Sequence, residues 1–495
     1  MTKVILNKWN GGQAEDIRVK SINKHEYSQN FNLNNEFHRL QAYPNSTEET
    51  VASSTMDNVE ISDVTVCKVV ATNVLVGAGY LGTSNILTFW IKNGVSDTWQ
   101  AQASASGNSY VKGTLINYKS QAYAVDSNGS GTFRLVKYIS AGTVSNIGNI
   151  TAPLGSNVKC IVHPEDNILY VFAGNVIAKY DGTTFSTVSS ILPAEYNTAS
   201  VSIYAGYIAI GMNPLTDTGN PVCLLWGRDT TINTLQGSID LGEGFLGVVE
   251  NLHNNLFFIM SSGNRFSTTI QNRILIKGYA GGSVENILEI PISDSNNILH
   301  VKAKKNNRVY FGFRNSDCIW SFGKNRDGNY TAQQEIFIRN GEKISGLTHS
   351  QLVYGISIIG DVFWIATTSQ SGVFTLQRTT INSSSYSATS IYKTTINPNM
   401  QEYDWNHKKM LKSAKLLYTG ANSGSVVLKY SVDGGAMVSI FNQPNTAGEK
   451  VLKTLKQLDQ KAFLQGYEFD FQLEVSGNAK VKSIEYIYEV IKTEM

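Results

Sequence analysis

The chain has 495 residues, enough for a large hydrophobic core and two or three domains, and its formal net charge is only +2, with 16% charged residues. This balance argues against a nucleic-acid-binding protein or a membrane-surface protein. Glycine (42), tyrosine (24) and phenylalanine (20) are abundant and proline (9) is scarce, which is typical of an all-β protein.

Neither a signal peptide nor a membrane segment is expected from the sequence. The N-terminal apolar run is too short for a signal peptide, and no apolar run reaches the roughly 18 residues that a membrane span needs. The cysteines lie in separate apolar stretches without a CxxC pair, so we interpret them as small buried hydrophobic residues. They are Cys67, Cys160, Cys223 and Cys318.

Residues 1–60 differ in character from the rest of the chain. A short predicted strand, Val4–Lys8, is followed by a glycine turn and a long polar stretch. The apolar residues of that stretch are isolated from one another: Ile17, Ile22, Tyr27, Phe31, Leu33, Phe37 and Leu40. The pattern predicts an extended N-terminal arm that lies on other surfaces of its own subunit or of a neighbouring one.

Residues 61–400 contain repeats, and residues 158–188 show the repeating unit most clearly. Short apolar runs begin at Val158, Ile168, Val176 and Phe185. Turn residues separate these runs: Pro164-Glu165-Asp166-Asn167, Gly174-Asn175 and Asp181-Gly182. The pattern predicts three or four short antiparallel strands. So small a meander cannot bury one of its faces alone, so it needs copies of itself as neighbours.

Similar units recur along the chain at a spacing of roughly 45 to 50 residues, which is in the range of β-propeller blades. The other six units are Cys67–Trp99, Leu115–Val144, Val201–Ile232, Val248–Ile290, Val301–Ile338 and Tyr354–Ile381. We therefore predict an all-β fold with a β-propeller of about seven blades over residues 61–400.

Residues 401–495 change character again. A lysine-rich lead-in runs into a predicted strand, Lys415–Thr419, and Asp433-Gly434-Gly435 marks a hairpin turn. Apolar residues alternate over residues 467–475 and again over Lys480–Ile491, which predicts two further strands. Together these elements predict a C-terminal β-sandwich. Lys450–Leu458 fits either a short amphipathic helix or a loop, and we favour the loop.

Short motifs stand at both ends of the chain. Near the N-terminus they are Trp9-Asn10-Gly11-Gly12, Asp16, Arg18 and Asn30–Leu33 (NFNL). Near the C-terminus they are Lys408, Lys409, Lys412, Tyr430–Gly435 (YSVDGG), Phe469–Glu474 (FxFxLE) and Ile484–Tyr486 (IxY). With the repeats between them, this layout resembles the tail nozzle or tail hub β-propeller proteins of short-tailed bacteriophages.

The resemblance implies a non-enzymatic structural protein of the virion tail that is assembled in the cytoplasm of the bacterial host. It implies a homo-oligomeric ring around the channel through which DNA is ejected. Other tail proteins (adaptor, fibre or tailspike) would dock on it, and genomic DNA would touch it transiently and non-specifically. Two alternatives remain open: a carbohydrate- or host-receptor-binding propeller of the tail and, with less support, a glycan-cleaving enzyme.

No catalytic, cofactor-binding or metal-binding residue is assigned, and no cofactor is expected. Gly77–Gly82 matches the dinucleotide motif GxGxxG, but another apolar strand follows it instead of a helix, so we interpret it as a turn. The histidines are too far apart in sequence to suggest metal-binding pairs, and we interpret each as a surface or turn residue. They are His25, His38, His163, His253, His300, His349 and His407.

Four acidic residues lie in or near predicted turns: Asp126, Asp166, Glu250 and Asp361. Hairpin geometry explains them without the paired carboxylates of a glycosidase. Residues 431–435 resemble the first half of the sialidase turn motif, but the tryptophan of that motif is absent. The arginines are also too scattered to form the cluster that a sialidase needs.

Two stretches are basic: Val301–Arg308 (VKAKKNNR), and residues 405–461 with nine lysines against three acidic residues. They fit phosphate contacts with passing DNA. They also fit a solvated face, or a face docked on an acidic neighbouring subunit, which we favour. Because no groove-reading element is visible, we expect no sequence-specific DNA recognition.

Overall fold

The computed structural model describes residues 2–6, 27–29, 31–36, 39–42, 47–48, 59–69, 72–81, 86–93, 98–188, 192–216, 219–228, 235–262, 273–291, 298–313, 318–324, 328–337, 352–368, 374–380, 389–396, 408–420, 424–444, 446–454, 465–477 and 479–491. The regular structure in these residues is β-strand, which confirms the all-β prediction. No helix among them is long and apolar enough to cross a membrane.

The strands are numbered β1 to β40 in chain order. The N-terminal strands are β1 (Thr2–Leu6), β2 (Tyr27–Gln29), β3 (Phe31–Glu36), β4 (Arg39–Ala42) and β5 (Thr47–Glu48). Next come β6 (Val59–Val69), β7 (Thr72–Leu81), β8 (Ile86–Lys92), β9 (Gln100–Tyr110), β10 (Ile116–Tyr118), β11 (Gln121–Ser127), β12 (Thr132–Ser140), β13 (Thr143–Thr151), β14 (Val158–His163), β15 (Ile168–Ala173), β16 (Val176–Tyr180) and β17 (Phe185–Val188).

The middle of the chain continues with β18 (Tyr196–Tyr204), β19 (Tyr207–Pro214), β20 (Val222–Trp226), β21 (Leu235–Asp240), β22 (Phe245–Leu252), β23 (Asn255–Ser261), β24 (Arg273–Tyr279), β25 (Val284–Pro291), β26 (Ile298–Lys305), β27 (Arg308–Phe313), β28 (Cys318–Lys324) and β29 (Tyr330–Phe337). The last strands are β30 (Leu352–Ile359), β31 (Val362–Thr368), β32 (Phe374–Thr380), β33 (Thr389–Ile396), β34 (Lys408–Gly420), β35 (Ser425–Val432), β36 (Val438–Pro444), β37 (Gly448–Thr454), β38 (Gln465–Gly466), β39 (Phe469–Ser476) and β40 (Lys480–Ile491).

The chain forms two compact units, which are interleaved along the sequence. The propeller unit comprises Thr47–Asp317 and Thr348–Arg378. The sandwich unit comprises Met1–Ser46, Cys318–Leu347 and Thr379–Met495. The boundaries predicted at residues 60 and 400 stay predictions.

The repeating unit takes the predicted form. Strands β14, β15, β16 and β17 pair in sequence order as an antiparallel sheet, and Val158 faces Ala173 in its first ladder. The turns form at the predicted glycines, and Gly174 and Gly182 both adopt the positive φ that tight turns require. In the last turn the Asp181 carboxylate accepts hydrogen bonds from the Thr183 and Thr184 amides, both at 2.8 Å. Local turn chemistry therefore fixes this meander.

The described strands form seven blades in succession, in agreement with the predicted count of about seven. Five are β6–β9, β10–β13, β14–β17, β18–β21 and β22–β25, with β9 also pairing to β11. Blade 6 contributes β26 and β27 to the propeller unit, and the chain then continues into β28 and β29 of the sandwich unit. Blade 7 has the order β30-β31-β32-β5, so its outermost strand comes from the N-terminal side of blade 1. The prediction of a β-propeller is confirmed.

The blades close into a ring through their first strands. Neighbouring pairs along this inner circle include β14 and β18, β18 and β22, β22 and β26, β26 and β30, and finally β30 and β6. The apolar clusters lie between blades: one joins blades 3 and 4, for example, and another joins blades 7 and 1. In these described clusters, neighbouring blades bury apolar faces against each other, as the sequence predicted.

Three tryptophans mark the seam between blades 7 and 1. Trp99 and Trp364 meet edge to face with ring centroids 5.6 Å apart, and Trp90 completes the cluster. The Lys92 ammonium lies 5.9 Å and 5.7 Å from the Trp99 and Trp364 centroids, a cation–π arrangement. Lys92 is only 3% exposed.

The sandwich unit packs two sheets around one core, as predicted. One sheet has the order β3-β4-β40-β34-β37 with β1 on β40 and β38 on β34, and the other has the order β2-β33-β39-β35-β36. Aromatic residues of both sheets meet in the core, as where Phe471 contacts Tyr486. The described residues of the N-terminal arm are strands, and β1, β3 and β4 join the first sheet.

Two local expectations were wrong. Residues 448–454 form strand β37 instead of a loop, because Leu452 packs on the sandwich core while Val451 stays exposed. Residues 77–81 of the GxGxxG motif lie inside strand β7 instead of a turn. A Cβ on Gly77 would lie 2.7 Å from Ile61 Cγ2 and 3.2 Å from the Trp99 ring, so close packing accounts for that glycine.

Candidate functional site

Polar side chains on the inner strands join neighbouring blades. Ser200 and Ser202 of β18 accept hydrogen bonds from the Val249 and Asn251 amides of β22, at 3.0 Å and 3.2 Å. Ser357 of β30 accepts one from the Val64 amide of β6 at 3.1 Å. Strands β22 and β6 are each the first strand of a sheet, so these amides lie at a sheet edge and have no partner in a β-ladder. The serine hydroxyls accept hydrogen bonds from them instead.

Four charged residues form what we call the inner-strand cluster: Asp63 of β6, Lys159 of β14, Glu250 of β22 and Lys302 of β26. Lys159 interacts with the charges of Asp63 and Lys302 on other blades, and Lys302 forms an ion pair with Glu250 of the preceding blade. Because such groups lie where seven first strands converge, they make the inner circle the candidate site of the propeller unit.

Asp63 of β6 contacts the last strand of its own blade and the segment that leads to blade 2. Its Oδ2 accepts hydrogen bonds from the Tyr110 hydroxyl and from the Gly113 amide, the latter at 2.8 Å. Burial raises the pKa of Asp63, although these donors and the charge of Lys159 oppose the rise. Burial and the neighbouring carboxylate raise the pKa of Tyr110 well above its usual range, so Tyr110 remains a donor at neutral pH.

Lys159 has the opposite shift. Burial, opposed by the charge of Asp63 and reinforced by that of Lys302, lowers its pKa from 10.5 to about 8. An amine and a carboxyl group whose pKa values approach each other are typical of functional sites, but structural networks have them too. Since Asp63 already accepts two hydrogen bonds, we assign this pair a structural role.

Glu250 and Lys302 tie three consecutive blades together. Lys302 Nζ donates to the Val201 carbonyl of blade 4 at 2.7 Å, to the Val249 carbonyl of blade 5, and to Glu250 Oε2 at 2.7 Å. Ser202 also donates to Glu250 Oε1, at 3.3 Å. Burial opposes ionisation of Glu250, but Lys302 and Lys304 outweigh it and lower the pKa of this carboxyl.

Lysines of the basic stretch Val301–Arg308 make further contacts of this kind. Lys304 Nζ lies 3.4 Å from Glu250 Oε1 and also donates to the Asn251 carbonyl. Lys305 Nζ donates to the Gly360 carbonyl and to Asp361 Oδ1 of blade 7, both at 2.7 Å. These lysines therefore join blades 5, 6 and 7, and their charges meet protein oxygen atoms.

The four acidic residues divide into two pairs. Asp166 and Asp361 lie in turns, as predicted. Asp126 and Glu250 lie inside strands β11 and β22, close to the turns that follow these strands, which agrees with a position in or near a turn. Asp126 is fully buried because Arg134 binds it through two hydrogen bonds, of 2.9 Å and 2.6 Å.

The prediction that each histidine is a surface or turn residue is confirmed for one histidine and wrong for another. His253 lies in the exposed turn after β22. His163 is completely buried at the end of β14, because Arg228 packs on it. The side chains of the other five lie outside the described residues. Among the residues that are described, no group of three His, Cys, Asp or Glu could hold a metal ion.

The cysteines match their interpretation where it is tested. Cys67 and Cys223 are buried free thiols and Cys160 is a half-buried one, while the side chain of Cys318 lies outside the described residues. No site residue was predicted, so the sequence missed Asp63 and Lys159. The available signal is a charged residue within the apolar first run of a unit, as in residues 61–66 (ISDVTV) and 158–162 (VKCIV).

Comparisons with known proteins give structural similarity alone. No family model matches the sequence, and no curated protein matches it. The crystal structure of Raptor from Chaetomium thermophilum is 10% identical with a TM-score of 0.43, and the match covers 72% of this chain and 30% of that chain. BBS1N, solved in complex with ARL6DN, is 10% identical with a TM-score of 0.43, covering 70% and 99%.

An exo-β-1,3-galactanase from Phanerochaete chrysosporium is 11% identical with a TM-score of 0.29, covering 90% of this chain and 100% of that chain. None of these three structures is a bacteriophage tail protein. At such identities and TM-scores, they carry no argument about the function of this chain.

Proposed function

We propose that the chain is a structural, non-enzymatic subunit of a bacteriophage tail, of the nozzle or hub type. It assembles into a homo-oligomeric ring around the DNA exit channel and docks other tail proteins, so its location is the virion tail. Contact with genomic DNA is transient and non-specific.

The observation that carries the proposal is where the resembling motifs lie in the fold. The N-terminal arm and the C-terminal motifs are more than 400 residues apart, yet β1 pairs with β40 from Thr2–Tyr488 to Leu6–Ile484. The FxFxLE motif is strand β39, and the YSVDGG motif ends β35. Trp9–Gly12, Asp16 and Arg18 lie outside the described residues. The motif residues that are described, such as Phe31–Leu33 of β3, lie in one sandwich, which supports reading them as one structural module.

Two further features support a structural role. The charges of the inner-strand cluster are used in contacts between blades. In addition, four large apolar side chains of the sandwich unit are exposed, from 37% to 56%: Met437, Val438, Val451 and Tyr467. In the proposed ring a neighbouring subunit covers these side chains, and their burial stabilises the assembly.

The proposal is tested by assembly. We expect the purified protein to sediment as a ring-sized oligomer and to give ring images in negative stain, and we expect the chain in gradient-purified particles of the phage that encodes it. Val438→Asp combined with Val451→Asp should weaken the ring. Leu154→Asp, at a propeller-unit position that is 77% exposed, is the matched control and should not.

A protein that stays monomeric and never appears in purified particles would contradict the proposal. Glycan-array binding without assembly would instead favour a receptor-binding propeller. Turnover of a sialoside or polysaccharide would favour an enzyme.

A further inference from the structure

A buried histidine and an arginine from the next blade meet at one corner of the propeller unit. His163 ends β14 of blade 3, and Arg228 follows β20 of blade 4. Arg228 Nη1 donates to His163 Nδ1 at 2.9 Å and to Asp166 Oδ2 at 2.9 Å, and Nη2 donates to Glu165 Oε2 at 2.8 Å. We call this set the blade 3–4 latch.

The contacts fix the protonation state of the histidine. Nδ1 accepts hydrogen bonds from Arg228 and from the Glu165 amide, the latter at 3.3 Å, so it carries no proton. The neutral ring therefore has its proton on Nε2, which is buried. Protonation of Nδ1 would remove both accepted bonds and set a second positive charge against the guanidinium.

The latched arrangement is also strained on the arginine side. Arg228 has φ of 68°, in the left-handed region that a residue with a Cβ rarely adopts, and its Nε is buried without a partner among the described residues. Opening the latch would relieve both. Both features destabilise the closed state, so only the few hydrogen bonds of the latch hold it closed.

We propose that the blade 3–4 latch is an acid-sensitive switch: protonation of His163 expels the Arg228 guanidinium from its Nδ1 and frees the turn of residues 163–167. The released ring can then turn to Asp166, whose Oδ1 lies 3.9 Å from Nδ1. The inference is independent of the tail assignment.

The charged groups that face the ring are Arg228, Asp166 and Glu165. Burial lowers the pKa of His163 below its ordinary 6.5, and the charge of Arg228 lowers it further, whereas Asp166, Glu165 and the Gly206 backbone oppose the change. Asp166 stays ionised in that range, because hydrogen bonds from Tyr170, Ile168 and Arg228 outweigh its burial and lower its pKa. The switch therefore operates on the acid side of the ordinary histidine range.

Hydrogen exchange read by mass spectrometry, on the full chain, tests the switch. Three amides report on it directly: Glu165 to His163 Nδ1, Asn167 to the His163 carbonyl, and Ile168 to Asp166. From about pH 7.5 to about pH 5, we expect exchange of this turn, corrected for its intrinsic pH dependence, to rise roughly tenfold. His163→Asn keeps an acceptor near the Nδ1 position but takes up no proton, so its corrected exchange should not change with pH.

Arg228→Gln gives a second, independent readout if the asparagine variant fails to fold. Without the guanidinium the turn should exchange fast at both pH values, and the acid-induced rise should disappear. Equal corrected exchange of the wild-type turn across the series would overturn the proposal. So would an acid-induced rise of the same size in either variant.

Discussion

Lys302 illustrates how a single residue couples blades that are far apart in sequence. Its ammonium group donates to oxygen atoms of residues 201, 249 and 250, and its side chain is only 23% exposed. Removing one partner of such a pair leaves the other charge buried, which costs more than the intact pair contributes.

We therefore expect Lys302→Met to destabilise the propeller unit by about 3–5 kcal/mol, because Glu250 would keep a buried charge. Glu250→Gln added to Lys302→Met should recover part of that loss, since no charge then remains unpaired. Thermal and urea unfolding measure both. Lys304→Met, at a side chain that is 41% exposed, is the control and should change stability by less than about 1 kcal/mol.

The lowered pKa of Lys159 makes its reactivity depend on pH in a defined way. Because the neutral amine is the nucleophile, its acylation should follow a midpoint near pH 8 instead of the ordinary 10.5. Asp63→Asn should move the midpoint down, since that carboxylate favours the ammonium form, and Lys302→Met should move it up. Pulse acylation read by mass spectrometry measures the midpoint. A midpoint that neither variant moves would show that Lys159 does not interact with these charges.

The same shift has a consequence for stability. The folded pKa lies below the unfolded value of 10.5, so the unfolded chain binds more protons between about pH 8 and 10.5. The contribution of Lys159 to stability therefore improves as pH rises through that window, and is lost as pH falls through about 8.

At the scale of elements, the seam between blades 7 and 1 depends on a close backbone approach. A Cβ on Gly355 of β30 would lie 1.6 Å from the Ser62 carbonyl oxygen of β6. No flexible side chain can yield there, because the obstacle is backbone. The inner strands of these two blades can therefore meet only with glycine at this position.

Gly355→Ala should destabilise the propeller unit by about 3 kcal/mol or more through overpacking at this seam. Gly282→Ala is the matched control, since its Cβ would meet nothing within 4 Å and its φ is not positive, and it should stay within about 0.5 kcal/mol. Unfolding midpoints compare the two. Equal midpoints would mean that the seam does not limit stability.

In the sandwich unit, β1 covers part of one edge of β40, whose other edge pairs with β34. Deleting residues 1–8 would leave β40 amides without a ladder partner. We expect the amides of residues 484–488 to exchange several-fold faster in the deletion variant. The amides of β35, in the other sheet, serve as the internal control and should keep their wild-type rates.

At the scale of the whole molecule, the net charge of +2 leaves little electrostatic attraction for DNA. The lysines at residues 302, 304 and 305 also already contact protein oxygen atoms. We expect duplex DNA to bind no tighter than about 10 µM at physiological salt, which is in the non-specific range, and to be released by added salt. Fluorescence anisotropy at two salt concentrations measures this, and tight salt-resistant binding would contradict it.

The candidate site was only partly accessible from sequence. From the sequence, Lys302 was assigned to a basic stretch and Glu250 to a position in or near a turn. The pairing of these two side chains was not predicted. Asp126 was expected in or near a turn and His163 at the surface or in a turn, yet Arg134 of β12 and Arg228, which follows β20, bury them. Partners brought together from distant positions decide such burial, and no local pattern contains that information.

The sequence by itself determined the strands and the turns, because alternating side chains and Gly, Asn and Asp corners act over a few residues. It also determined the repeat of about seven blades, since a meander that cannot bury its own faces requires neighbours. Only the tertiary structure decided that β5 completes blade 7 and that β1, β3 and β4 join the C-terminal sandwich. Those pairings connect residues separated by most of the chain, and they depend on which exposed strand edge each segment reaches.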